Sequence, residues 1–343
     1  MKKFCSKPFE NIAVHADGSV WMCCHDWLST PIGNLNDSSF EDIWNGEVAK
    51  SIRRSIIDQS FSYCDSSQCP ALASDSLPMV TEASLEKWEK AIAPGSDSEK
   101  HPSPKSISLT YDATCNLKCP SCRSDYIIFD RKQRAQVKKI HDALFEFSLK
   151  DLERIHMTGY GDPFSSAVFR DFLRTVSREK FPSLRIALMT NALLLTPKMW
   201  ESMPGAHRLI DSIHVSVDGC SEATYSLNRG GDFSLLLENL EFVASIRRSL
   251  TIRHFEISFV VQQNNFREMP DFVQLGERLN CDKVLFQRII NWGTYTPDDF
   301  KLREVHEETH PDHQEFKQLL SSEIFASPVV DLTNLSNFRD AGS

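Results

Sequence analysis

Ten cysteines dominate the chemistry open to this 343-residue chain. Eight fall into two groups: Cys5, Cys23, Cys24, Cys64 and Cys69 near the start, and Cys115, Cys119 and Cys122 within Cys115-Asn-Leu-Lys-Cys119-Pro-Ser-Cys122. Cys220 and Cys281 stand alone. This density is too low for a secreted disulfide scaffold of such length. Met1-Lys2-Lys3 has the basic start of an export signal, but Cys5 to Glu10 supplies no apolar stretch to follow it, so the expectation is a cytoplasmic chain with reduced thiols. Clustered reduced thiols are ligands or catalysts. Three thiolates on one loop bind a metal centre and leave one coordination position open. On an iron–sulfur cluster that position takes a substrate or cofactor. On structural zinc a fourth ligand would close it, and a zinc loop is the plain alternative.

Something must hold that loop. Six short apolar runs, Ile107–Tyr111, Arg154–Met157, Leu184–Thr190, Ile213–Val217, Phe255–Val261 and Val284–Gln287, read as buried strands. Amphipathic helices separate them: Val137, Ile140 and Leu144 share one face, as do Phe233, Leu236, Leu237, Leu240 and Ala244. Strands alternating with helices predict an α/β fold, a partial (β/α)6 TIM-like barrel with a parallel sheet and right-handed crossovers. Chemistry in such sheets collects at the carboxyl ends of the strands, and the three-cysteine loop directly follows the first. Thr158-Gly159-Tyr160-Gly161-Asp162-Pro163 follows the second, with two glycines that permit close backbone approach to a ligand. Thr190-Asn191 ends the third, and Ser216 and Asp218 end the fourth, two apart and on one side of the strand. Each of these is also an ordinary turn or cap residue taken alone.

The N-terminal cysteines have a framework of their own. Asp17-Gly18 predicts a hairpin between Ile12–His15 and Val20–Met22 that delivers Cys23 to a strand end. Gly33-Asn34-Leu35 predicts a second turn, followed by one capped helix from Ser39 to about Ile56, with Cys64 and Cys69 closing the unit. Cys5, Cys23, Cys64 and Cys69 make four thiolates, enough to saturate one centre. Cys24 is left over, although sequence alone leaves Cys23 and Cys24 as alternatives and leaves zinc open here too. Residues 76–105 are rich in Pro, Ser, Asp and Glu and read as a linker, with one charged helix over Glu82 to Ala93 that puts Leu85, Trp88 and Ile92 on a face. The expected organisation is a small α+β cysteine-rich domain over 1–75, this linker, the barrel over 106–300 and a tail over 301–343.

The C-x3-C-x2-C spacing after a barrel strand resembles the radical S-adenosylmethionine (SAM) superfamily. The resemblance implies a [4Fe–4S] cluster on Cys115, Cys119 and Cys122, with SAM chelating its open iron and cleaved reductively to a 5′-deoxyadenosyl radical. It implies SAM contacts from Gly159, Tyr160, Gly161 and Asp162, where Tyr160 and Asp162 depart from the usual Gly-Gly-Glu form, and from Thr190, Asn191, Ser216 and Asp218. The N-terminal segment resembles a SPASM-type auxiliary domain. Cys5, the Gly18-x4-Cys23 spacing, Gly33-Asn34-Leu35, Phe40-Glu41-Asp42-Ile43-Trp44 and the Cys64/Cys69 pair carry that likeness, which implies a second [4Fe–4S] cluster on Cys5, Cys23, Cys64 and Cys69. In this chain the segment precedes the barrel instead of following it, and it is short of cysteines for two auxiliary clusters. Tyr225-Ser-Leu-Asn-Arg-Gly-Gly-Asp-Phe233 and Asn291-Trp-Gly-Thr-Tyr295 also look like segments of these enzymes.

The implied partners are SAM, a small-molecule or peptide substrate, and a low-potential electron donor such as flavodoxin or ferredoxin. The implied reaction is oxidation or a related radical modification of a small polar, sugar-type or peptidyl substrate, with the auxiliary cluster as electron acceptor. Two alternatives stand: an epimerase in which Cys220 returns a hydrogen atom, and a non-catalytic zinc- or cluster-binding interaction protein. A free cysteine is more often inert packing than a catalyst, and Cys281 reads as structural. Gln287, Arg288, Asn291, Tyr295 and Asp298 line either a substrate entrance or a solvated surface. His306, His310 and His313 lie among acidic residues and read as a polar surface loop sooner than a metal site. The net charge of −9 argues against nucleic acid or an anionic membrane as partner, and no apolar run approaches the roughly 20 residues of a membrane span.

Overall fold

A computed structural model describes residues 1–92, 101–146, 149, 151–157 and 160–339. The chain forms two compact units: Met1–Ala113 with Phe129–Gly161 and Ser177–Arg185, and Thr114–Ile128 with Asp162–Val176 and Ile186–Ser343. Among the described residues the fold is α/β: the main sheet has ten mostly parallel strands, five assigned to each unit, and Lys2–Lys3 and Met79–Val80 form a separate antiparallel pair.

In the first unit the strands are β1 (Asn11–His15), β2 (Ser19–Trp21), β3 (Gly33–Asn34), β4 (Ser106–Thr110) and β5 (Arg154–Met157), in the order β5-β4-β1-β2-β3. The hairpin β1–β2 turns at Asp17-Gly18 as expected. Gly18 adopts φ +85°, and the Asp17 carboxylate accepts the Ser19 N–H at 3.0 Å. The amides of Asn34 and Asn36 donate to the Asp17 carbonyl at 3.0 and 2.8 Å, which pins β3 against the turn. β1 does more than support its own hairpin: it pairs in parallel with β4 from Asn11↔Ser106 to His15↔Thr110. The cysteine-rich segment therefore extends the barrel's first strand.

Two expected boundaries change. The single helix from Ser39 is two, α1 (Phe40–Trp44) and α2 (Glu47–Ile57), because Gly46 is extended at ψ 167° and starts the second. A Cβ at Gly46 would lie 2.8 Å from the Asp42 carbonyl oxygen, so the two helices meet too closely for a side chain there. The described part of residues 76–105 includes the expected helix, α3 (Glu82–Ile92), which packs closely. Leu85 is buried, and the Trp88 ring lies 4.9 Å from Phe9 and 5.8 Å from His101. The Ile92 side chain and Ala93 lie outside the described residues. α4 (Arg131–Glu146) buries Val137, Ile140 and Leu144, the face predicted from their spacing.

In the second unit β6 (Arg185–Thr190), β7 (Ile210–Ser216), β8 (His254–Val261), β9 (Lys283–Arg288) and β10 (Val330–Asp331) follow one another as parallel neighbours. Their helices are α5 (Ala167–Thr175), α6 (Glu222–Arg229), α7 (Phe233–Arg248), α8 (Met269–Arg278) and α9 (His313–Leu320). All six strands of the expected barrel, β4 to β9, form. The segment read as a polar tail departs from expectation. β10 pairs with β9, and Phe316, Leu320, Phe325 and Leu335 are buried, so residues 301–339 complete the core. Its histidines do not converge. The His313 ring nitrogen meets the Val305 carbonyl at 3.2 Å, His310 accepts the Asp312 N–H at 3.1 Å, and His306 lies with Glu304 and Glu307.

Candidate cluster sites

In the second unit the loop Thr114–Ile128 carries the three cysteines. Its turn is closed by the N–H groups of Cys122 and Arg123 donating to the Cys119 carbonyl at 2.9 and 3.0 Å. Cys115 is half-buried, Cys119 buried and Cys122 exposed. Each sulfur is met by a nitrogen donor from a different residue. Asn191 Nδ2 lies 3.7 Å from Cys115 Sγ, Arg229 Nη1 3.5 Å from Cys119 Sγ, and Arg123 Nε and Nη2 each 3.4 Å from Cys122 Sγ. Such donors suit sulfur that carries negative charge, as cluster thiolates do. Burial pushes the Cys115 thiol up, which favours the protonated form until a cation takes the proton's place.

Asn116, inside the motif, is the joint that sequence reading missed. Its Oδ1 accepts from Asn191 Nδ2 at 2.9 Å and from Ser165 Oγ at 3.0 Å. Asp162 supports the same wall. It is 2 % exposed, and its carboxylate accepts from Thr190 Oγ1, the Asn191 N–H and the Phe164 N–H at 2.7, 2.9 and 2.9 Å. Its own N–H donates to the Thr114 carbonyl, at the root of the cysteine loop. Burial raises the Asp162 carboxyl's pKa, and these donors pull it back. Asp162, Thr190 and Asn191 thus come together, with their polar groups spent largely on one another. Tyr160 is exposed, Gly161 closes the first unit, and Gly159 lies outside the described residues.

Ser216 and Asp218 meet through Arg229. Its Nη2 donates to the Ser216 carbonyl at 2.7 Å, and Nη1 lies 3.4 Å from Asp218 Oδ2. Asp218, at φ +64° and 2 % exposed, also accepts the Val260 N–H at 2.7 Å. Burial raises its pKa while Arg229 opposes the rise. The Ser216 hydroxyl has no hydrogen-bond partner among the described residues. Burial raises the Tyr295 hydroxyl's pKa, Arg303 opposes the rise and the Cys119 charge adds to it, so the segment after β9 lies within electrostatic reach of the cysteine loop. Arg123 adjoins Cys122 in sequence, and Arg229 lies in the 225–233 stretch already singled out, but nothing in its spacing names a partner 110 residues away.

Cys220 is held elsewhere. Its N–H donates to Glu268 Oε2 at 2.6 Å, and its thiol points to the Glu268 carbonyl at 3.8 Å. The same carboxylate accepts from Ser221 and Thr224 at the start of α6. Burial, then Glu268 and Asp271, push this thiol far up, so it stays S–H.

In the first unit Cys5, Cys23, Cys64 and Cys69 line one cavity of about 160 Å³, walled by Trp27, Leu28, Phe61, Leu72 and Leu77. β2 leads into Cys23, the Phe61 carbonyl takes the Cys64 N–H at 2.8 Å, and the Asp65 carbonyl takes the Cys69 N–H at 2.9 Å. Burial pushes the Cys64 thiol up to about 12, and the neighbouring charges of Cys5, Cys23 and Cys69 add to the rise. Four thiols crowded in one another's field, with Lys7 the cation at the cavity, fit a site completed by a metal centre. Cys24 does not line the cavity; its thiol meets Asp26 Oδ2 at 3.8 Å.

Comparison with known proteins matches both cysteine groups. Residues 5–70 match the SPASM family, described as an iron–sulfur cluster-binding domain, and residues 113–256 match the radical SAM superfamily. None of the curated proteins matches the sequence. Among solved structures, SuiB of Streptococcus suis bound to S-adenosylmethionine is similar over 90 % of this chain and 71 % of its own, at 11 % identity and TM-score 0.49. SuiB bound to the precursor peptide SuiA is similar over 71 % of this chain and 53 % of its own, at 14 % identity and TM-score 0.41. The enzyme anSMEcpe, with bound AdoMet and a Kp18Cys peptide, is similar over 66 % of this chain and 62 % of its own, at 17 % identity and TM-score 0.40. The chain thus spans only about half the length of the SuiA-bound SuiB chain and seven tenths of the S-adenosylmethionine-bound one. It belongs to the radical SAM superfamily and carries an iron–sulfur SPASM domain, which here is amino-terminal.

Proposed function

We propose that this enzyme oxidises, or otherwise modifies by radical chemistry, a small polar sugar-type or peptidyl substrate. The observation that carries this reading is the unequal thiol count: three sulfurs on one loop, each with its own N–H donor, against four that converge on one apolar cavity. Three ligands leave an iron open and four do not. When bound, a [4Fe–4S] cluster on Cys115, Cys119 and Cys122 supplies the electron that cleaves SAM reductively. Asn116, Asp162, Thr190 and Asn191 fix the loop so that its open side is presented in one orientation. Ser216, whose hydroxyl has no hydrogen-bond partner among the described residues, offers a contact to SAM. Cys5, Cys23, Cys64 and Cys69 would hold an auxiliary [4Fe–4S] cluster, which would supply an electron acceptor, and a flavodoxin- or ferredoxin-type protein would be the low-potential electron donor.

Anaerobic reconstitution with iron and sulfide tests this. The expected result is about eight irons per chain and, with dithionite, release of 5′-deoxyadenosine from SAM. Two zinc ions and no SAM cleavage would sink it. Deuterium transfer from candidate sugars and peptides into 5′-deoxyadenosine then identifies the substrate. A second reading, epimerisation with Cys220 as hydrogen donor, is favoured by the thiol's fully protonated state. It requires the S–H to rotate away from Glu268. Cys220→Ala would then still cleave SAM but lose solvent deuterium from the product; unchanged incorporation removes Cys220 from the reaction.

A further inference from the structure

Arg229 is one of the more confined charges in the second unit. It is the last residue of α6, and Gly230, at φ +70°, ends the helix directly after it. Its side chain is 12 % exposed. The guanidinium meets Cys119 Sγ on the cysteine loop, and the Ser216 carbonyl and Asp218 at the end of β7. Among the described residues its Nε has no hydrogen-bond partner. One turn earlier in α6, the wholly buried Tyr225 hydroxyl also lacks a partner among the described residues and lies within the electrostatic reach of Arg229, Cys119 and Asp218. Next to it, a Cβ on Gly231 would come within 2.9 Å of that hydroxyl, so the chain approaches it as closely as a glycine allows. Buried polar groups are normally satisfied, and two unsatisfied donors beside one metal-ligating sulfur point to a partner the protein itself does not supply.

We infer that Arg229 and Tyr225 are positioning residues that set the reduction potential of the cluster bound by Cys119, by donating N–H and O–H bonds to its sulfur face, with Asp218 as counter-charge. This rests on the cluster assignment proposed above. The step concerned is the uptake of one electron from an external low-potential donor. No bond forms or breaks and no proton moves; one negative charge is added beside the guanidinium. Donors and positive charge at the sulfur stabilise the reduced state and raise the potential, and the Asp218 carboxylate opposes them. Arginine keeps its charge at every accessible pH, so the effect does not depend on titration.

The test is an EPR-monitored dithionite titration of the reconstituted full chain, following the signal that changes when SAM is added, with iron and sulfide counted in parallel. The expected result is a midpoint shifted to more negative potential in Arg229→Gln and, by less, in Tyr225→Phe, and to more positive potential in Asp218→Asn, each at unchanged iron content. Midpoints equal to the wild type in both Arg229→Gln and Asp218→Asn, with iron retained, overturn the inference. If Arg229→Gln fails to load iron, Arg229→Lys decides: a wild-type midpoint in a loaded Arg229→Lys together with an unshifted Asp218→Asn also overturns it. Failure of the underlying assignment looks different, because the wild-type chain would then show no SAM-responsive signal at all.

Discussion

The two cysteine sites use the same ligand and surround it differently. Cys5, Cys23, Cys64 and Cys69 face Trp27, Leu28, Phe61 and Leu72, with Lys7 the cation at the cavity. Cys115, Cys119 and Cys122 face an amide and two guanidinium groups. Apolar walls make added charge costly, whereas donors aimed at sulfur support it. Ligand count separates an open centre from a saturated one, and the surroundings separate a site ringed by polar donors from one shielded by apolar side chains.

The sharpest way to break that contrast is to remove one thiol from each site. Cys119→Ser should abolish SAM cleavage, by about 10³-fold or more, and leave roughly four irons per chain, measured by 5′-deoxyadenosine release and iron assay. Cys64→Ser should also lose about four irons yet keep SAM cleavage within a few-fold while product formation stops; equal loss of cleavage in both variants would erase the distinction between the sites.

A third measurement compares the units by acid stability. His101 and His141, both in the first unit, are held down to about 4, in each case chiefly by burial. Between that value and the ordinary 6.5 the unfolded chain binds more protons, so stability falls as pH drops through this window, by on the order of 2–3 kcal/mol for each histidine. Denaturant midpoints at pH 7 and pH 5 check this, and His141→Gln should flatten the dependence; a midpoint independent of pH would contradict it. The smallest effect is expected at Cys24, whose thiol lies off the cavity: Cys24→Ala should retain full iron loading, whereas a loss would place Cys24 among the ligands.

How much of this could be read from sequence follows from chain distance. The three-cysteine loop is legible because its ligands lie within eight residues, and the alternating strands and helices are legible because burial imposes their periods. Two adjacent cysteines are not separable by sequence alone, and the structure brings Cys23, at the Gly18-x4-Cys23 spacing, to the cavity. Arg229 was not legible as a partner of Cys119, because contacts 110 residues apart leave no local pattern. The end of the chain was misjudged because its strand is only Val330–Asp331 and its buried Phe316, Leu320 and Leu335 are diluted among charges.

The parallel pairing of β1 with β4 bears on biosynthesis. Asn11 leaves the ribosome roughly 95 residues ahead of its partner Ser106. At 5–20 residues per second, β1 waits on the order of ten seconds for the strand that completes it. Over that interval its backbone donors and acceptors form an exposed edge, next to a hairpin that ends in Cys23. Mispairing with another nascent chain is then the principal hazard, and slow expression in cold medium, which weakens hydrophobic association, should improve the yield of soluble enzyme.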